Sequence, residues 1–92
     1  DGAPTGLSPD RTAVTTSAVT LSCDPTSGAD LYEHQIEYAS SGTWRAYYTY
    51  AGSSTDRTFY PSVAGTTYRF RVRARVGGAF GPWSAWASFD YR

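Results

Sequence analysis

An all-β sandwich of seven short antiparallel strands is the fold this sequence predicts. Three observations carry that expectation. Apolar and polar residues alternate with a period of two along most of the chain, and no stretch keeps a helical 3.6-residue period over ten residues. Clusters of Gly, Pro, Ser, Thr and Asp interrupt the alternation at roughly 8–12-residue intervals, the spacing of turns between short strands. Finally, 92 residues that are 40% apolar and 16% aromatic can fill one core and leave no room for a second.

Taken in order, "RTAVTTSA" (11–18) reads as polar edge and turn material. The stretch "AVTLSC" (18–23) puts Val19, Leu21 and Cys23 on one face and Thr20 and Ser22 on the other. "YEHQIEY" (32–38) sets Tyr32, His34, Ile36 and Tyr38 inward against Glu33, Gln35 and Glu37. "TWRAYYTY" (43–50) and the shorter "RTFY" (57–60) are rich in strand-favouring residues. The clearest alternation is "TYRFRVRARV" (67–76), with Tyr68, Phe70, Val72, Ala74 and Val76 facing inward and the arginines outward. "WASFDYR" (86–92) closes the set with Phe89 and Tyr91 inward. Turns are expected at "DPTSGAD" (24–30), "SSGT" (40–43), "AGSSTD" (51–56), "PSVAGT" (61–66) and "GGAFGP" (77–82).

Charge and chemistry narrow the function. Eight Arg, with no Lys, balance eight acidic residues, so no net field steers the domain toward nucleic acid or an anionic membrane. A lone Cys23 excludes an internal disulfide and a cysteine-based zinc site. The single His34 sits at an inward strand position, away from any substrate proton, and Cys23 faces the same core. No paired-carboxylate pattern and no glycine-rich phosphate loop before a helix is present. The expectation is therefore a non-enzyme, with no catalytic residues, no cofactor and no metal. There is no Met, even at position 1, and no signal peptide or apolar run of about 18 residues, so the chain reads as one domain (1–92) cut from something longer.

The opening Pro4 and Leu7, "SAVTLSC", "DPTSGADLYEHQIEY" and "AGTTYRFRVRARVGGAFGPWS" together resemble a fibronectin type III domain over nearly the whole chain. The resemblance implies an immunoglobulin-like sandwich in which Tyr68 is the corner tyrosine, its hydroxyl bonded to backbone within Ser62 to Gly65. That family usually carries a core tryptophan where this chain has Cys23, so neighbours must fill the space, with the tyrosines, His34 and Trp44 as candidates. The segment Trp83-Ser84-Ala85-Trp86-Ala87 also resembles the Trp-Ser-x-Trp-Ser stretch of membrane-proximal class I cytokine receptor modules, with Ala in place of the last Ser.

Arg69, Arg71, Arg73 and Arg75 recur at every second position just before Trp83 and Trp86. Outward residues two apart on a strand stand roughly 6.6–7 Å from each other, which admits one flat ring between two planar cations. A structural cation–π ladder of these six residues, with Glu33 and Glu37 balancing the charge on the same outer face, is the expected arrangement. Rings spent this way are not free for nucleic-acid bases. The remaining candidates for an interaction surface are Phe80 in the last loop and the aromatic run Trp44, Tyr47, Tyr48 and Tyr50.

These readings converge on a non-catalytic spacer and protein-interaction unit, monomeric in isolation, that contacts a protein partner or its own chain's neighbouring domains. An Arg-only, Ala- and Gly-rich composition points to a GC-rich bacterial or phage parent, such as a tail or host-attachment protein. A carbohydrate-binding accessory module of a secreted glycoside hydrolase and a cytokine-receptor-like ectodomain are the rivals. The family resemblance alone places the domain outside the cell or on a virion surface.

Overall fold

The computed structural model describes residues 2–92. Among them eight strands form: β1 (Thr12–Val14), β2 (Val19–Leu21), β3 (Ala29–Ser40), β4 (Thr43–Gly52), β5 (Arg57–Phe59), β6 (Thr67–Val76), β7 (Ala79–Phe80) and β8 (Ala87–Tyr91). The larger sheet runs β1-β8-β6-β3-β4 with β7 beside β6, and the smaller is β2-β5. The all-β sandwich matches expectation. The extra strand is β7, which arises because Gly77 and Gly78 both take positive φ (60° and 81°) and fold the chain straight back on β6. Two consecutive left-handed residues make the tight hairpin turn whose twist suits a pair of strands. Ser41 and Gly42 (φ 53° and 76°) do the same between β3 and β4.

One pairing departs from the antiparallel expectation. Ser8 and Ser22 exchange both backbone hydrogen bonds at 3.0 and 2.9 Å, so the N-terminal segment first borders the smaller sheet. It then crosses over, and β1 lies parallel to β8, with Thr12 opposite Phe89. A hairpin enforces antiparallel pairing, whereas a segment arriving from the other layer is free of that constraint.

Period-two alternation sorts the side chains. Val19 and Leu21 from β2, Tyr32, His34 and Ile36 from β3, Phe59 from β5, Tyr68, Phe70, Val72 and Ala74 from β6, and Ala87 and Phe89 from β8 are all buried, together with Cys23. At the centre Phe59 meets Tyr68 edge-on at 5.0 Å, and Tyr68 stacks on Phe89 at 5.7 Å. Each such ring contributes about 1.5–3 kcal/mol by leaving water. Val76, expected inward, is 40% exposed, because the last residue of β6 runs past the end of the short second layer.

The space at Cys23 is closed by polar neighbours. Cys23 Sγ lies 3.9 Å from the Thr55 carbonyl, and His34 Nε2 reaches the same oxygen at 3.0 Å. A carbonyl only accepts, so Nε2 carries the proton and the ring is held in that tautomer. Trp44 takes no part in this filling; it stands on the opposite face of the larger sheet.

Candidate functional site: the arginine face and the tyrosine groove

Strands β3 and β6 pair with Glu37 opposite Arg69, Gln35 opposite Arg71 and Glu33 opposite Arg73. Their outward side chains therefore meet rung by rung. Arg69 donates to Glu37 Oε1 from Nε at 2.8 Å, Arg71 Nε donates to Gln35 Oε1 at 2.7 Å, and Arg73 Nε donates to Glu33 Oε1 at 2.7 Å. These bonds fix each guanidinium plane, and flat cations held in register leave slots for rings.

Rings occupy every slot. Arg69 lies between Trp44 (4.3 Å) and Trp86 (4.0 Å), Arg71 between Trp86 (4.5 Å) and Trp83 (4.6 Å), and Arg73 between Trp83 (4.6 Å) and Phe80 (4.1 Å). The stack thus runs Trp44–Arg69–Trp86–Arg71–Trp83–Arg73–Phe80 across the outer face. Arg75 stands outside it. The residue opposite Arg75 on β3 is Leu31, and a bulge between Ala29 and Leu31 brings in Asp30, whose Oδ1 accepts from Arg75 Nε at 3.0 Å. Phe80 and Trp44, expected on an interaction surface, cap the two ends of the stack. Their positions depend on the Gly77–Gly78 turn and on a diagonal step across β3, neither of which residue spacing alone displays.

Neither Trp83 nor Trp86 lies on a strand: β8 begins only at Ala87, one residue after the expected start of "WASFDYR" at Trp86. Pro82 has no N–H to give a ladder, and Ser84 supplies the link instead. Its N–H donates to the Val72 carbonyl at 2.8 Å, and its hydroxyl accepts from Val72 N–H at 3.0 Å while donating to the Ala85 carbonyl at 2.9 Å. A buried side chain thus stands in for a strand partner and aims Trp83 and Trp86 at the arginines.

Tyr68 lies at the start of β6, fully buried, but among the described residues its hydroxyl makes no bond to the backbone of Ser62 to Gly65. Packing against Tyr47, Phe59 and Phe89 positions the ring. Gly65 N–H instead donates to the Tyr91 carbonyl at 2.7 Å, which holds that corner to β8.

The aromatic run on β4 divides. A bulge in the β3–β4 register lets Ile36 pair with Tyr48 and Glu37 with Ala46, leaving Tyr47 as the extra residue. Tyr47 turns its ring onto Phe59 at 5.3 Å. Tyr48 and Tyr50 sit edge to face at 4.7 Å, and Arg57 lies 4.4 Å over the Tyr50 ring. Tyr50, Asp56, Arg57, Thr58 and Tyr60 line an open groove of about 490 Å³ between the β4 and β5 edges. Tyr60 and Arg57 were not singled out from sequence; in "DRTFY" the alternation that buries Phe59 turns Thr58 and Tyr60 out, and it puts Arg57 on the same face as Phe59, opposite Leu21 at the end of β5.

Burial holds the His34 imidazole below its ordinary 6.5, with Arg57 adding to the effect and the Thr55 bond and Asp56 opposing it. Burial, with Asp24 and Asp56, pushes the Cys23 thiol up to about 11. Both groups are thereby held neutral at pH 7. Among the described residues, no group of three or more His, Cys, Asp or Glu is placed to hold a metal ion.

Comparison with known proteins agrees with this architecture. The sequence profile of the fibronectin type III domain matches residues 2–90. A Fn3-like protein from Clostridium thermocellum superposes with a TM-score of 0.65 at 26% identity, over 97% of this chain and 91% of that one. The twitchin kinase region from C. elegans gives 0.61 at 21% identity, over 95% of this chain and 16% of that one. A fibronectin type III domain from the human KIAA0970 protein gives 0.57 at 17%, over 97% and 71%. No curated protein sequence is detectably similar. With the profile spanning both sheets and the arginine face on the outside of the larger one, the chain belongs to the fibronectin type III family.

Proposed function

We propose that this domain is a non-catalytic, rigid spacer and protein-interaction unit within a larger multi-domain chain of bacterial or phage origin, displayed outside the cell or on a virion. The seven-layer stack from Trp44 to Phe80 is the observation that carries the reading. It clamps β4, β3, β6, β7 and the segment before β8 into one plate, using the residues that would otherwise bind anions or bases. Chain direction supports the same reading. Gly2 lies beside Ala74 and Val76 at one end of β6, whereas Asp90 pairs with Thr67 at the other, so the first and last parts of the domain sit at opposite ends of that strand. The likeness to a clostridial Fn3-like protein at 26% identity supports a bacterial parent.

The test is made in the parent chain. Residues 2–92 are replaced by a Gly/Ser linker of equal length, and the separation of the flanking parts is measured by spin-label distances. A rigid spacer gives one narrow distance that becomes broad and shorter in the linker variant. Equal distributions in both chains would overturn the reading.

A further inference from the structure

We propose that the groove between β4 and β5 binds a neutral oligosaccharide. This goes beyond the spacer reading and does not depend on it. Among the described residues, the arginines of β6 are all hydrogen-bonded to β3 side chains, but Arg57 has neither a carboxylate nor another acceptor. Its guanidinium lies over the Tyr50 ring with its N–H donors unspent. The adjacent Asp56 carboxylate accepts a single side-chain bond, from Thr55 Oγ1 at 3.3 Å. A fork of donors and a pair of acceptors therefore line one groove with the hydroxyls of Thr58, Tyr50 and Tyr60.

Around these polar groups stand free ring faces. Tyr60 is 66% exposed with no cation over its ring, and Tyr48, packed against Tyr50 next to the groove, is 58% exposed. Tyrosine offers flat contact area at low conformational cost, and a few fixed polar groups among such rings orient a small ligand. A sugar ring presents the matching chemistry: C–H faces for the aromatics, and neighbouring hydroxyls that both donate and accept for Arg57 and Asp56. Because those two charges offset each other, the groove does not select an anion. The groove is wide open to solvent and holds about 490 Å³.

An extended peptide is the less suitable occupant. The bulge beside Tyr47 breaks the regular row of backbone groups on β4, and β5 offers only three residues. Strand addition requires a longer, unbroken edge.

The experiment is affinity electrophoresis of the 92-residue domain through gels containing xylan, β-glucan, galactomannan or soluble chitin, with polygalacturonate and polyglutamate gels alongside. Retardation by at least one neutral polymer is expected, with binding weakened at least tenfold in Tyr60→Ala and in Arg57→Ala. Val63→Ala, exposed and outside the groove, keeps the wild-type mobility, and circular dichroism verifies that each variant is folded. Unretarded migration in every neutral gel, retardation by an acidic polymer alone, or retardation unchanged in both groove variants would each overturn the proposal. None of these outcomes bears on the spin-label distances.

Discussion

Cys23 and His34 share one acceptor, the Thr55 carbonyl, and that sharing governs how each behaves. With the thiol pushed up to about 11, only about a thousandth of it is thiolate at pH 8. Labelling by an aromatic disulfide reagent is therefore expected to be orders of magnitude slower in native buffer than in denaturant; complete native labelling within minutes would show the thiol to be accessible. His34 titrates below its ordinary 6.5, so the unfolded chain takes up the proton first. Stability from keeping the ring neutral is complete above pH 6.5 and is lost as pH falls from there toward the lower folded value. The melting temperature should fall between pH 7 and pH 5, and His34→Gln should flatten that slope even though it lowers the starting value. Asp56, Arg57 and Cys23 are the charged or titratable neighbours of the ring, and none of them is changed in the variant. Alternation in "YEHQIEY" and "AVTLSC" reveals that both side chains point inward. It does not reveal their acceptor, which belongs to a turn distant in sequence and reaches them only through the pairing of β2 with β5.

At the scale of elements, β6 carries the argument. Its arginines are legible because a strand repeats every two residues, and Glu33, Gln35 and Glu37 repeat in phase on the neighbouring strand. Less is legible where a local irregularity resets the phase. The bulge that sends Tyr47 inward, and the one that delivers Asp30 to Arg75, each add a residue that alternation alone cannot place. Trp86 is the ring to remove, since it fills the slot between Arg69 and Arg71. Two guanidinium contacts at about 0.5–1 kcal/mol each, plus lost packing, amount to about 2 kcal/mol. In a domain of this size the melting temperature should then fall by about 10 °C in Trp86→Ala and by less in Trp86→Phe, which retains a ring. A thermal melt followed by circular dichroism measures it. An unchanged midpoint for Trp86→Ala would mean that the indole is held for a partner rather than for the sheet.

For the whole molecule, the uneven layers matter most. A six-stranded sheet faces one of only two strands, so part of β4 extends past its cover, and Tyr48 and Tyr60 are left facing solvent there. The outer face of the same large sheet is closed by its own side chains. One side is thus stiffened, from which a narrow spin-label distance follows, and the other edge is left open to a sugar. The alternation of apolar residues could not announce this division, because it assigns residues to faces without stating how far the opposite layer reaches.

The stack also has an order of assembly. Its cations belong to β6, and three of its four rings, Phe80, Trp83 and Trp86, follow β6 in the chain. During synthesis the guanidiniums emerge with only the acceptors of β3 and the Trp44 ring to meet them, until the stretch after the double-glycine turn leaves the ribosome. The plate therefore closes late, and a nascent chain stalled at that turn exposes a basic strand that the finished domain conceals.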